Sequence, residues 1–317
     1  MDRKNRPAVP TVLTTLFTAL TLVFATVPLL AQDEEAEEAP KLETIPVADG
    51  IYMLAGPGGN IGVSVGDDGV FLVDDQYAPL TDAVRAAVAE ITDQPIRFVI
   101  NTHWHDDHTG GNEALGESGA VIVAHDNVRE RMKTGAVLEL LDYTAPPAPE
   151  AALPVITFAD AVTFHLNGEE IHAHHVDPAH TDGDSVVHFR GSGVVHLGDL
   201  YFNGYYPFID IWSGGSIDGM IAAGAKMLGE IDEDTKILPG HGPVSNRAEL
   251  ADFVAMLGGV RAAVGALVDA GKSLEETLAA KPTAPWDEKW GDGFLNPERF
   301  TSLVYMDLAG AEEEGEE

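Results

Sequence analysis

An apolar run at residues 96–101 leads into His103-Trp104-His105-Asp106-Asp107-His108, and no other feature of the chain restricts its fold so strongly. The run is short and rich in β-formers, which predicts a buried strand with the polar segment on the loop at its end. Side chains two apart in an extended segment point the same way, so His103 and His105 address one point in space. Asp107 and His108 lie past the turn and reach a second. Imidazole and carboxylate donors in this combination suit zinc, and the spacing predicts a metal site at a strand end.

Sulfur cannot take part, because the 317 residues include no cysteine. That also excludes disulfides, a thiolate nucleophile and iron–sulfur clusters. With 18 basic and 52 acidic side chains the formal net charge is −34, which excludes a nucleic-acid partner gripped through a basic face and adsorption on anionic lipid. Arg3, Lys4 and Arg6 precede an uncharged apolar stretch at 12–30, and an acidic run at 33–38 follows. These features predict a signal peptide over residues 1–31 cleaved near Ala31, or else an uncleaved anchor; either places the rest of the chain outside the cytoplasm, periplasmic or secreted. If the peptide is cleaved, no stable membrane partner is expected. An acidic linker at 32–44 and an acidic tail at 311–317 are expected to be disordered, since such blocks repel themselves and bury nothing.

Between these ends the pattern alternates. Strands at 51–54, 60–65 and 70–73 are separated by glycine-rich turns and predict an antiparallel meander. Thr81 is expected to cap a helix to Ile91, and a strand at 121–124 leads into a helix at 126–133. A second round follows: a hairpin around Asn167-Gly168, strands at 185–189 and 194–197, a helix at 216–230, a strand at 236–238 and a long helix at 247–270. Two rounds of meander plus helix predict an α/β protein with two sheets face to face and helices outside. The catalytic domain is placed at 45–271, with an acidic, helical C-terminal cap at 272–310.

His180, Asp199 and His241 each follow a predicted strand beside glycine or proline, where a tight turn can hold a ligand. With the segment 103–108, and with Asp74 or Asp75 after an early strand, they form an ordered set that resembles the metallo-β-lactamase superfamily over about residues 45–250. The resemblance implies a four-layer αβ/βα sandwich with two Zn²⁺ per chain at one edge of the sheets. It implies His103, His105 and His180 on one ion, Asp107, His108 and His241 on the other, and Asp199 bridging them. Two divalent ions against the two carboxylates leave a positive field that lowers the pKa of bound water from about 15.7 to about 7, so a bridging hydroxide is the expected nucleophile. Asp107 would also orient it and return its proton to the leaving group, a catalytic role.

The substrate is expected to be a small molecule. Tyr201, Phe202, Tyr205 and Trp212, in an aromatic stretch just after Asp199, are candidates for its pocket. Asp199 stands where some β-lactamases carry a cysteine ligand, and no lysine follows it, so the resemblance leans toward lactonases, thioesterases and general hydrolases. A glutathione thioesterase would add a basic patch near its C-terminus, which the sequence does not display. β-Lactam or lactone ring opening is the specific expectation; thioester or other ester hydrolysis is the alternative, and persulfide oxidation at a single iron a more distant one. The other seven histidines have plainer readings: His172, His174 and His175 in a strand, His188 and His196 as structural, His125 as a helix cap and His165 beside a turn. None of these is assigned to a metal.

Overall fold

A computed structural model of the chain describes residues 41–138 and 143–314. The expected signal peptide, most of the acidic linker and the last three residues lie outside the described residues.

The first half forms β1 (Glu43–Ala48), β2 (Ile51–Ala55), β3 (Ile61–Gly66), β4 (Gly69–Val73), α1 (Thr81–Ile91), β5 (Ile96–Ile100), α2 (Asp106–Thr109), α3 (Asn112–Glu117), β6 (Val121–His125), α4 (Asp126–Thr134), β7 (Ala136–Leu138), β8 (Tyr143–Ala145) and β9 (Ile156–Phe158). The second half forms β10 (Ala161–Leu166), β11 (Glu169–His175), β12 (Ser185–Phe189), β13 (Val194–Phe202), α5 (Ile217–Glu230), β14 (Lys236–His241), β15 (Ser245–Asn246), α6 (Arg247–Asp269), α7 (Leu274–Ala280), α8 (Asp287–Trp290) and α9 (Pro297–Glu314). One sheet runs β1-β2-β3-β4-β5-β6-β9 and the other β10-β11-β12-β13-β14-β15, with β7 and β8 paired separately.

Strand periodicity assigns the layers. Ile51, Met53, Phe71, Val73 and Ile100 meet Ile171, Ala173, Val187, Phe189 and Leu238 between the sheets. The alternate residues of the first sheet, among them Val63, Leu72 and Val99, pack under Val84 and Val88 of α1. Those of the second, Val186, Val195 and Ile237, pack under Met220 of α5, Phe253 and Leu257 of α6 and Phe300 of α9. The result is helix, sheet, sheet, helix, with the C-terminal helices extending the outer layer of the second sheet.

Several element ends differ from the sequence reading: β13 and β14 run on to Phe202 and His241, so Asp199 and His241 lie within strands rather than after them, and β1, α9 and α1 differ as well. β1 begins at Glu43, inside the expected acidic linker, because Ile45 and Val47 give that segment an apolar face for the sheet. α9 continues through Glu314, so the acidic tail is helical for its first four positions. Thr81 opens α1 but does not cap it: its hydroxyl donates to Ala78 O, and Leu80 holds the cap position.

Where the sheets turn parallel, consecutive strands end on the same side. β4 pairs parallel with β5, and β13 with β14. Asp74 follows β4, residues 101–108 follow β5, Asp199 sits in β13 and His241 ends β14. Loops at the carboxyl ends of parallel strands are where α/β folds gather ligands.

Phe189 lies fully buried between the sheets. Replacing it by alanine should cost about 3–5 kcal/mol, read as a lower urea midpoint at unchanged slope.

Candidate metal centre

Four donors, His103, His105, His180 and Asp199, have ligand atoms within 4.8 Å of one another, and so do Asp107, His108 and His241. Asp199 lies between the groups. Its Oδ1 is 3.1 Å from His108 Nε2, and its Oδ2 is 3.4 Å from His241 Nε2, 3.6 Å from His180 Nε2 and 3.8 Å from His103 Nε2. Asp107 Oδ2 is 3.3 Å from His241 Nε2.

Local backbone explains these positions. The pairing of β13 with β14 is irregular on both sides of Gly198, whose φ of 52° no β-branched residue would take comfortably, and this break turns Asp199 inward. A Cβ on Gly240 would stand 2.0 Å from Asp199 Oδ1, so the residue before His241 has to be glycine for the carboxylate to fit. The short helix α2 carries Asp107 and His108 around the turn, and Thr109 Oγ1 closes it by donating to His105 O. Asp184 fixes the loop of His180 by accepting from the backbone N–H groups of His180 and Thr181 and from the Thr181 hydroxyl.

Each of four histidines has its far nitrogen tied down. His108 Nδ1 donates to Asp74 Oδ2 at 2.7 Å, His105 Nε2 to Asp210 Oδ2 at 3.0 Å, and His180 Nδ1 to Phe208 O at 2.8 Å. Thr102 Oγ1 donates to Asp74 Oδ2 and so accepts from His103 Nδ1 at 3.0 Å. Such partners set the tautomer and raise the basicity of the nitrogen that faces inward. Phe202 stacks on His241 at 4.9 Å between centroids.

The inward nitrogens then fit a metal ion better than they fit one another. His180 Nε2 and His105 Nδ1 face each other at 3.0 Å, each with its ring proton committed elsewhere, so two lone pairs oppose. His103 Nε2, His108 Nε2 and Asp199 Oδ1 are buried without a hydrogen-bond partner, a costly state that a cation relieves. Burial pulls His180 down to about 4, the neutral ligating form. The carboxylates call for positive charge: burial alone would lower His241, yet Asp199 and Asp107 raise it to about 9.

The sequence left Asp74 and Asp75 unresolved, and the structure separates them. Asp74, with a φ of 66°, reaches His108 and Thr102; Asp75 turns away to accept from Gly111 N. Asp210 escaped the sequence reading, although a lone acid in the apolar stretch 201–212 was the available signal.

Beside the donors lies a cavity of about 850 Å³. Of the four aromatic candidates Phe202 and Tyr205 line it, together with Tyr77, Trp104, Tyr206 and Phe208. Tyr201 does not: it is fully buried, packed on Phe253 with its hydroxyl at 2.8 Å from Ser245 Oγ. Strand alternation puts it on the face opposite Phe202. Trp212 is also absent from the lining, because the turn at Asp210 directs it against the helical core. Among the described residues that line the cavity, Arg299 of α9 is the one arginine or lysine, and it comes from the C-terminal helices in which the sequence displayed no basic patch.

The family profile described as the metallo-beta-lactamase superfamily matches residues 55–257. A hydroxyacylglutathione hydrolase of Polaromonas sp. (strain JS666 / ATCC BAA-500) is 27% identical over 176 residues, 53% of this chain and 57% of the relative. The chain thus spans little more than half the length of that curated relative. A metallo-beta-lactamase from Pontibacter korlensis superposes with a TM-score of 0.58 at 18% identity, covering 69% of this chain and 99% of that one. The stereoselective inverting sec-alkylsulfatase from Pseudomonas sp. gives 0.62 at 18% identity, covering 84% of this chain and 50% of its own. These likenesses are of fold.

Asp74→Asn should weaken metal affinity by roughly 10–100-fold in competition with a chromophoric chelator, and Asp75→Asn by much less, since only Asp74 orients ligating rings.

Proposed function

The chain belongs to the metallo-β-lactamase superfamily, with its αβ/βα sandwich, and from that membership and the donor geometry we propose that it is an exported hydrolase holding two zinc ions. His103, His105 and His180 would hold one ion and Asp107, His108 and His241 the other, with Asp199 between them. Bound there, the ions would supply Lewis-acid polarisation of the scissile group and a water acidified to a pKa near 7.

The protein's own groups do the rest. Asp107 lies at the cavity wall with 17% of its side chain accessible, placed to take a proton from the attacking water and pass it to the leaving group. The aromatic walls offer an apolar seat, and Arg299 offers a partner for an anionic part of the substrate. The observation that carries the reading is the complete donor set in both groups, which argues against a single-iron dioxygenase. Hydrolysis of an open ester or thioester is the favoured reaction: the Polaromonas relative is named for a thioester-type substrate, and the cavity is roomy and carries a cation. Lactone or β-lactam ring opening uses the same atoms and differs only in keeping the leaving group attached. The charged N-terminus and apolar stretch at 12–30 support export, and the strongly acidic chain supports a small-molecule substrate rather than nucleic acid.

The test is a panel of S-acyl thioesters, aryl esters, lactones and a chromogenic β-lactam on zinc-loaded protein. Thioesters or esters should be fastest, a chelator should abolish turnover and zinc restore it, and elemental analysis should count about two zincs. Full rates in His103→Ala or Asp107→Ala would overturn the reading. Arg299→Ala should raise KM about tenfold for anionic substrates with little change in kcat, the effect of losing one partly exposed charge-assisted contact.

A further inference from the structure

A third group of donors lies outside the centre described above. His174 of β11, His188 of β12 and Glu230, the last residue of α5, each bring one ligand atom within 4.8 Å of the others. Strand parity puts them together. Ile171 and Ala173 face the opposite sheet, as do Val187 and Phe189, so His174 and His188 face outward toward the helical layer. The register pairs His172 with His188 and His174 with Val186, which makes His174 and His188 diagonal neighbours on one face. Their rings stack at 5.4 Å between centroids with 17° between planes.

Both Nε2 atoms point at the same carboxylate oxygen: each lies 4.0 Å from Glu230 Oε2. Lys226 approaches the other oxygen, Oε1, and leaves Oε2 to the histidines. The contacts fall short of hydrogen bonds, and His188 Nε2 is buried with no hydrogen-bond partner at all. An imidazole that served only to pack or to brace the sheet would have a donor or acceptor in reach, as His172 has in Thr163 Oγ1 at 2.9 Å. Around a tetrahedral zinc with bonds of about 2.1 Å, donor atoms stand about 3.4 Å apart, against the 4.0 Å observed from each Nε2 to Glu230 Oε2, so the carboxylate is within a small approach of both rings. Burial first, and then neighbouring positive charge, hold both histidines near 4, which keeps them in the neutral ligating form. The carboxylate also sits at the C-terminal end of α5, where the helix dipole favours a cation.

We propose that His174, His188 and Glu230 form a third metal site, for a divalent ion of the zinc or nickel type, which ties the end of α5 to the outer face of the second sheet. Two imidazoles and one carboxylate leave a fourth position for solvent, and the donor types select against calcium and magnesium. The site shares no residue with the candidate active site, so it stands whether or not the hydrolase reading does.

The experiment uses the full chain, stripped with a chelator and dialysed against graded zinc or nickel, with bound metal counted by plasma emission spectrometry. The double variant His174→Ala/His188→Ala should take up one equivalent less than the unaltered chain at saturation, with the rate of substrate hydrolysis unchanged and a smaller rise of Tm on metal addition. Glu230→Gln, at an exposed helix end, keeps the fold and should weaken the additional equivalent at least tenfold, the loss typical of even a supporting contact. Equal uptake by all three chains at every metal concentration would overturn the site. So would a fall in hydrolysis in step with the missing metal, since the lost ion would then belong to the active centre.

Discussion

Lone pairs that face one another repel, and this chain holds five inward imidazole nitrogens and two carboxylates in one small volume. Left to flexible loops, such groups would turn out to water. The restraint comes from behind: four of the five rings are gripped by the other nitrogen, the gripping groups Asp74, Thr102, Phe208 and Asp210 are buried in loops beside the strand ends, and His241 is held in β14 with Phe202 stacked on it. Asp74 is the central case. It accepts from His108 Nδ1, from Thr102 N and from Thr102 Oγ1, and through that hydroxyl it orients His103 as well. One carboxylate therefore positions a ligand in each of the two groups. The preference of the site for cations follows from that rigidity, since a preorganised set of donors pays little reorganisation when an ion enters.

The sheets make the restraint possible. The apolar layer between them and the helical layers outside bury nearly every residue of β4, β5 and β13 near the site, so the strand ends cannot drift apart without opening a core. The C-terminal helices serve both purposes. α9 packs Phe300 and Leu303 into the core and in the same stretch presents Arg299 to the cavity. The group on the outer face of the second sheet follows similar logic with less enclosure: two rings set by strand register, and a carboxylate delivered by the end of a helix.

The most legible parts of the molecule were those written in short-range pattern. The hairpin around Asn167-Gly168 follows from local chemistry, because Val162, Phe164 and Leu166 on one strand and Ile171 and Ala173 on the other are apolar at period two and both turn residues take positive φ, while the apolar runs at 51–54 and 185–189 mark buried strands by composition rather than alternation. The clustered donors at 103–108 were legible for the same reason. Tyr201 and Trp212 were not. Both belong to an aromatic stretch whose rings alternate between core and cavity, and only the actual path of β13 and the turn at Asp210 tells which side each ring takes. Asp74 and Asp75 are adjacent and identical in type, so their roles divide on a backbone conformation rather than a composition.

What the sequence determined by itself, then, was the chemistry: nitrogen and oxygen donors only, gathered at strand ends in two layered halves, on an acidic chain without cysteine. Tertiary structure alone decided which side chains share a point in space. Asp210 orients His105 across 105 positions of sequence, Arg299 enters a cavity that residues as remote as Glu43 help to line, and His174 meets Glu230 only because α5 ends over β11. The physical reason is that hydrogen bonds and metal coordination act over about 2–3 Å, and distances of that size between remote residues are set by how sheets and helices pack.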